Sequence, residues 1–501
     1  MSSPFTVLAI SDLHYTGLAR QTLQPAMTRG ELGRILLKKV FLRLEHLSIK
    51  PDLVVVLGDL VAEGKDRDAE NDLIALHSEL TRSGIPFLVL PGNHDRGCER
   101  FNDLFDVCPG LHTFGGYGFI LFDDIFEEAH TTVRPEQSLK LTEQIAKENP
   151  NLSLIALQHA PIYPAIKSLY PYRPTNSTEI MDSFQKSGVV LSLSGHYHKG
   201  QSLRINEGVY YHTVPSLVEE SFPFSIIRLE GKKVEVEEHS LKLAFPNIID
   251  MHCHTEHAYC ATTVDTASAL SLAKTLGVTM QCITEHAFQL YFEKKYAMSG
   301  KWQKEPEEVQ RVWDTPSRFR MENYRKFAEK LRSPYTKIGL EVDLYDNGKL
   351  LLSPDDSEED MWDFLIGAIH FIHDFTPGKT TQAEAEKLFL RDVEHLLHLP
   401  IKVLAHPMRF FAWSRLEMPK HLYPVVADML ADSGVAAEIN FHAFQTDADF
   451  IRTCIEKNVK IALASDAHAL QEVGEFIPHI NVLKQAGITP KMFPDILFSF
   501  K

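Results

Sequence analysis

The chain has 501 residues, enough for two or three domains at roughly 100–200 residues each. Hydrophobic residues make up 44% and charged residues 24%, which excludes a mainly disordered chain. Lys and Arg number 51 against 67 Asp and Glu, and the net charge of -16 disfavours a broad, non-specific grip on nucleic acid. No run reaches the roughly 18 apolar residues of a membrane span, so no membrane partner is expected. The opening MSSPFTVLAISD lacks a basic flank, and the six Cys have no paired spacing. A cytoplasmic location is therefore the expectation.

The first half alternates strand and helix signals. Val7 to Ile10 reads as a buried strand. Leu32, Ile35, Leu36, Val40, Leu44 and Leu47 follow helical spacing, with Pro51 beyond. Val54 to Leu57 is a second strand, and Leu73, Leu76 and Leu80 mark a helix with Gly84 suited to its end. Phe87 to Leu90, Leu152 to Leu157 and Val189 to Leu193 repeat the strand pattern. From Gly208 to Leu243 the signal becomes hairpin-like, which closes a domain at residues 1–245.

Five polar blocks stand just after the apolar runs of this half. They are Asp12-Leu-His14, Gly58-Asp59, Gly92-Asn93-His94-Asp95, His159 and Gly195-His196-Tyr-His198. Strand ends of open α/β sheets are where ligands bind. Carboxylate and amide oxygens mixed with imidazoles suit Mn, Fe or Zn. Two such cations about 3.5–4 Å apart generate hydroxide and clamp a phosphoryl group. The set of blocks resembles the calcineurin-like metallophosphoesterases, and looks closest to the branch with the class III cyclic-nucleotide phosphodiesterases. The resemblance covers roughly residues 5–240 and implies an αββα sandwich. It gives Asp12, His14, Asp59 and His198 to one metal, and Asp59, Asn93, His159 and His196 to another. It makes His94 the general acid, with Asp95 orienting it.

A second alternation fills residues 246–501. Strand signals run at Asn247 to Ile249, Thr279 to Ile283, Lys337 to Leu340, Phe364 to Ile369, Lys402 to Leu404, Val435 to Ile439 and Lys460 to Ala464. Helical stretches lie between several of them, such as Val264 to Leu276 before Gly277. The pattern suggests a barrel-like α/β domain. Residues 289–335 form a long insertion rich in Arg, Lys and aromatics, and 310–327 reads as an amphipathic helix or a lid.

The polar blocks here are Asp250-Met-His252-Cys-His254, Thr284-Glu285-His286, Gly339-Leu-Glu341-Val-Asp343, His370, His406-Pro407, Glu438-Ile-Asn440 and Ser465-Asp466-Ala-His468. With the phrases CITEHAF, GLEVDLY, VLAHP and ALASDAH, they resemble the PHP family, most of all its histidinol-phosphatase branch. The resemblance implies a distorted (β/α)7 barrel with two or three metals. His252, His254, Glu341 and Asp466 would hold one, and Glu341, His370 and His406 a second. His286 and His468 would hold a third with one more ligand, for which Cys260 stands where the branch places a His. His257 is the alternative, and a simply buried Cys260 is the bland reading.

Phosphate calls for a cationic clamp. Arg409 is the best-placed candidate, with Arg318 and Arg320 in the insertion, and His373 is a candidate pocket residue. The expectation is a bifunctional metal-dependent phosphoesterase acting on a small phosphorylated substrate such as a nucleotide. The first domain would cut phosphodiesters and the second phosphomonoesters. Two independent substrates, with histidinol phosphate for the second domain, are one alternative. Nucleic-acid end processing and a non-enzymatic metal-binding scaffold are the others.

Overall fold

The computed structural model describes residues 4–17, 29–127, 131–315, 319–358 and 361–500. Arg318 lies outside them. The chain divides into two compact units, Met1–Lys242 and Leu243–Lys501.

The first unit is built on two sheets. One has the order β13-β12-β1-β2-β3, from β1 (Phe5–Ile10), β2 (Leu53–Val56), β3 (Phe87–Val89), β12 (Pro223–Glu230) and β13 (Lys233–Ser240). The other runs β10-β11-β9-β8-β5-β4, from β4 (Gly110–Phe114), β5 (Tyr117–Leu121), β8 (Ser153–Leu157), β9 (Val189–Ser194), β10 (Gln201–Asn206) and β11 (Val209–Thr213). A small hairpin pairs β6 (Ile125–Phe126) with β7 (Thr132–Val133). Alternation decides the layers. Val7, Ala9, Leu53 and Val55 pack with Phe119, Leu121, Ile155, Leu157, Leu191 and Leu193, so the sheets face each other. Ile120, Leu154, Ala156 and Val189 point to the opposite face, where they meet Ile145 and the Ile180–Phe184 pair of two helices, Glu136–Glu148 and Ser177–Ser187. Helices Gly33–His46 and Ala69–Arg82 bury Leu36, Val40 and Leu44, and Leu73, Leu76 and Leu80. The result is the αββα sandwich. Strands β1, β2 and β3 are mutually parallel, as are β5, β8 and β9, so their carboxyl ends share a direction within each sheet.

The second unit is a seven-stranded parallel barrel. Its order is β14 (Ile249–Asp250), β15 (Met280–His286), β16 (Thr336–Val342), β19 (Phe364–Gly367), β20 (Val403–Leu404), β21 (Ala436–Asn440) and β22 (Ile461–Ala464). The Met251 amide donates to the Leu463 carbonyl (2.8 Å) and the Asp466 amide to the His252 carbonyl (2.7 Å), which joins the last strand to the first. Helices Thr266–Thr275, Phe319–Glu329, Gln382–Leu397, Tyr423–Ser433 and Ala448–Glu456 make crossovers. Between β16 and β19 the described crossover is instead a hairpin, β17 (Leu344–Tyr345) with β18 (Lys349–Leu350), and a short turn of helix at Pro354–Asp356. That replacement, and strands as short as two residues, distort the barrel. Among the described residues no helix is long and apolar enough to cross a membrane.

Candidate metal centres

In the first unit, the loops after β1, β2, β3, β8 and β9 bring the five blocks together. Tight turns do the aiming. Asp12, His14, Asp59 and His196 all sit at positive φ (53°, 42°, 52° and 64°), a backbone state costing about 1–3 kcal/mol each. Gly58 before Asp59 has φ 91°, and a Cβ there would stand 2.5 Å from His159 Nδ1. At Gly92 a Cβ would overlap the Asp59 carboxylate. These glycines leave room for the ligands themselves.

Two donor sets meet at one carboxylate. His14 Nε2 and His198 Nε2 stand 3.0 Å apart, and Asp12 Oδ1 lies 3.8 and 3.7 Å from them. Asp59 Oδ2 is 3.9 Å from His14 Nε2 and 3.2 Å from His159 Nε2, so one oxygen faces both sets. Asn93 Oδ1 is 3.2 Å from His159 Nε2, and His196 completes a group with Asp59 and His159. Burial drives His14 and His196 down to about 3, which keeps both imidazoles neutral. Burial also opposes a charge on His159, but the Asp59 and Asp12 carboxylates override it and lift this group to about 9. Asp12 Oδ1 and His196 Nε2 are buried without a hydrogen-bond partner among the described residues. A divalent cation fits each set, which offers a neutral nitrogen at His14 or His196 beside carboxylate oxygens of Asp12 or Asp59.

Other groups hold the donors in place. Leu57 O meets His159 Nδ1 at 2.6 Å, and Glu219 Oε1 meets His198 Nδ1 at 3.0 Å. His94 lies edge-on to His14, with ring centroids 4.7 Å apart, and its Nδ1 is 2.7 Å from the Ala62 carbonyl. Asp95 was expected to orient that ring. Its carboxyl instead accepts from the Val61 amide (3.0 Å) and the Gly92 amide (2.9 Å), tying two loops together. Burial and the nearby Asp59 push it up to about 7.

In the second unit Glu341, inside β16, takes the central place. Its Oε1 is 2.9 Å from His406 Nε2 and 3.4 Å from His370 Nε2. Its Oε2 is 3.4 Å from His252 Nε2 and 2.5 Å from His286 Nδ1. Among the described residues His286 Nδ1, Glu341 Oε2 and His370 Nε2 make no hydrogen bond of good geometry despite these close approaches. Asp466 Oδ1 lies 3.0 Å from His254 Nε2 and 3.5 Å from His252 Nε2. His254, His286 and His468 form a third group, with the His254 ring 4.3 Å from each of the other two rings. Burial opposes charge on Glu341, but His286, His252 and His370 hold it well below the usual carboxylate range. This donor set also fits divalent transition metals.

The doubtful ligands separate. Cys260 Sγ stands 3.3 Å from Gln289 Nε2, and burial together with Glu285, Asp466 and Glu341 pushes its thiol up to about 12. His257 packs on Tyr324 and Phe327, with centroids at 5.5 and 4.7 Å, and its Nδ1 lies 3.3 Å from Thr255 Oγ1. Arg320 donates to His257 O and Gln289 O and lies 4.2 Å over the Tyr259 ring, bracing this loop. Arg409 is buried, and its Nη2 donates to Asp466 Oδ2 and Asn440 Oδ1, both at 2.6 Å. The guanidinium thus meets a ligand candidate directly. His373 turns to Asp374 (2.8 Å), which Arg391 holds.

Sequence reasoning set Glu438 and Asn440 in a polar block without giving either a role, and passed over His442 and Glu219. Glu438 faces His252 Nδ1 at 2.9 Å and accepts from the His406 amide at 2.5 Å. Its neighbour on the same strand face, Asn440, touches Asp466, and that period of two was a readable signal. His442 stacks on His468 at 4.0 Å, and Glu219 arrives from a loop without any motif.

Residues 5–200 match the family model for calcineurin-like phosphoesterase, and residues 250–442 match that for the PHP domain. The chain joins a calcineurin-like phosphoesterase domain to a PHP domain. Among similar proteins is a cAMP/cGMP dual specificity phosphodiesterase of Mycobacterium tuberculosis, 23% identical over 39% of this chain and 62% of its own length. The match thus spans less than two thirds of that relative. A 3′,5′-cyclic-nucleotide phosphodiesterase of Nostoc is 28% identical over 42% of this chain and 78% of its own. A Deinococcus radiodurans protein described as a "probable histidinol-phosphatase" is 24% identical over 35% of this chain and 78% of its own.

Proposed function

We propose that this chain is a metal-dependent phosphoesterase with two hydrolytic sites, the calcineurin-like domain opening a phosphodiester and the PHP domain removing a phosphomonoester. One observation carries the reading. Each domain holds a buried carboxylate, Asp59 or Glu341, with imidazoles converging on it from several strand ends. Mn, Fe or Zn suits both sets, two ions in the first and two or three in the second. When bound, these cations acidify water and neutralise charge on the phosphoryl group.

The chain's own residues account for the remaining steps. The Ala62 carbonyl can only accept a hydrogen bond, so His94 Nδ1 carries a proton. A second proton on His94 then resides at Nε2, and His94 is the group that hands it to the leaving oxygen. Leu57 O and Glu219 fix the His159 and His198 rings, as Glu438 and Asp343 fix His252 and His370. The cyclic-nucleotide phosphodiesterases among the relatives favour a small nucleotide diester for the first site. The Deinococcus relative supports a second reading, histidinol phosphate as an independent substrate of the PHP domain.

Two variants of the full, metal-loaded chain test this. Asp59→Asn should leave a cyclic-nucleotide diester uncut yet still release phosphate from the nucleoside monophosphate. Glu341→Gln should open the diester and stop at the monoester. Each loss should be about 10³-fold or more. If Glu341→Gln affects only substrates unrelated to the product of the first site, the two domains act on independent substrates.

A further inference from the structure

We propose that the calcineurin-like site binds a nucleobase against an aromatic wall formed by residues 161–176 and their neighbours. This rests on the reading of that site as a phosphodiesterase. The wall stands beside a metal-ligand candidate. The rings of Tyr170 and Tyr172 lie 5.6 and 5.4 Å from the His196 ring, and 4.7 Å from each other. Tyr197 adds a third tyrosine 5.0 Å from Tyr172. Phe126 lies 5.8 Å from the rings of both His159 and His196, with the Arg96 guanidinium 5.0 Å over it. An ester group on a phosphorus atom held at His196 therefore starts within reach of these rings.

The wall is also held in place before anything binds. Pro161, Pro164, Pro171 and Pro174 restrict the segment that carries it. Gln201 Nε2 donates to Pro164 O (3.3 Å) near one end. At the other, the Thr175 amide donates to Thr132 O (2.7 Å), and Asn176 exchanges hydrogen bonds with the Arg134 backbone (3.1 and 2.8 Å). The Tyr172 amide donates to Tyr170 O (3.0 Å), which fixes the turn between the two rings. Ordering costs are met in folding, so a planar ligand gains more of the contact energy.

Flat rings stack on any base without reading its identity. The net charge of -16 opposes a long polyanion, so a single nucleotide is the occupant.

The test compares cyclic AMP with the cyclic phosphate of glycerol, which lacks a base, using the Mn-loaded full chain. Tyr172→Ala and Tyr170→Ala should each lower the ratio of kcat/KM between the two, cyclic AMP over the glycerol ester, by roughly 5- to 100-fold. The change should lie in KM, and Tyr172→Phe should restore the ratio. With Glu341→Gln added so that the PHP domain does not consume the ligand, equilibrium dialysis should show Tyr172→Ala losing affinity for AMP but not for glycerol phosphate. Equal losses on both substrates, or no loss on cyclic AMP, would overturn the wall. If the unaltered protein cuts neither diester, the phosphodiesterase reading fails by itself, and the AMP dialysis still decides the wall.

Discussion

The two sites collect the same donors on differently built backbones. Asp59 leaves the end of β2 at positive φ and reaches its partners from a strained loop. Glu341 stands within the regular part of β16, held by pairing on both sides. The first site is open at one edge: the His198 side chain is 30% exposed, while those of Asp12, His14, Asp59 and His159 are at 0–4%, and a rim of tyrosines stands beside His196. The second is closed, with the side chains of His252, His254, Glu341 and Asp466 at 0–1% exposure. A site open at one edge suits a substrate carrying a bulky second ester group. A closed barrel end suits a small terminal phosphate.

Buried ion pairs offer the sharpest contrast. Arg134 meets Asp124 through two bonds, 2.7 and 2.9 Å, with its guanidinium 3.7 Å from the Phe122 ring centroid. No metal-ligand candidate belongs to that pair. Arg409 pairs with Asp466, which does face His252 and His254. Removing one member of a buried pair strands the other charge, at about 3–5 kcal/mol. Arg134→Met and Arg409→Met should both cost that much in chemical denaturation. Only Arg409→Met should also change metal uptake, measured by titration of the stripped protein. If Arg409→Met keeps normal uptake but loses phosphate inhibition, Arg409 serves substrate rather than Asp466.

That pair also marks where sequence stops being readable. Asp12 and His14, or His252 and His254, announce themselves because neighbours in sequence follow one apolar strand, and strand ends gather ligands. The layer order of both units follows from the same alternation. Arg409 reads as a phosphate clamp because His406 is close in sequence; its contact with Asp466, 57 positions on, arises only through barrel closure and has no local signal. The support for His94 is a backbone carbonyl of Ala62, a group every residue possesses and no sequence distinguishes. Tyr170 and Tyr172 fell in a proline-rich loop with no period to read.

Supports behind the ligands should rank by burial. Glu438 is fully buried and serves two histidines, whereas the Glu219 side chain is 22% exposed and serves one. Removing a carboxylate behind a metal-bound imidazole costs about 10- to 100-fold in metal affinity. Glu438→Gln should fall toward the upper end for the PHP domain, and Glu219→Gln toward the lower end for its neighbour. Calorimetric metal titration reads both. A larger loss for Glu219→Gln would mean that the exposed site is the more rigidly supported one, reversing the open-and-closed contrast.

The smallest effect concerns the rim of the closed site. Trp413 is 49% exposed, its ring 6.0 Å from His370 and 5.3 Å from the Arg409 guanidinium. Half-exposed surface contributes little to folding, so Trp413→Ala should change stability by about 1 kcal/mol or less. An indole at the mouth can still meet the organic part of a monoester whose phosphate lies inside. For a nucleoside monophosphate, KM should rise about 5-fold with kcat unchanged, since stacking is worth about 1 kcal/mol at an exposed edge. For a short alkyl phosphate KM should not move. A matching rise for both would place Trp413 in holding Arg409, and the closed site would then recognise phosphate alone.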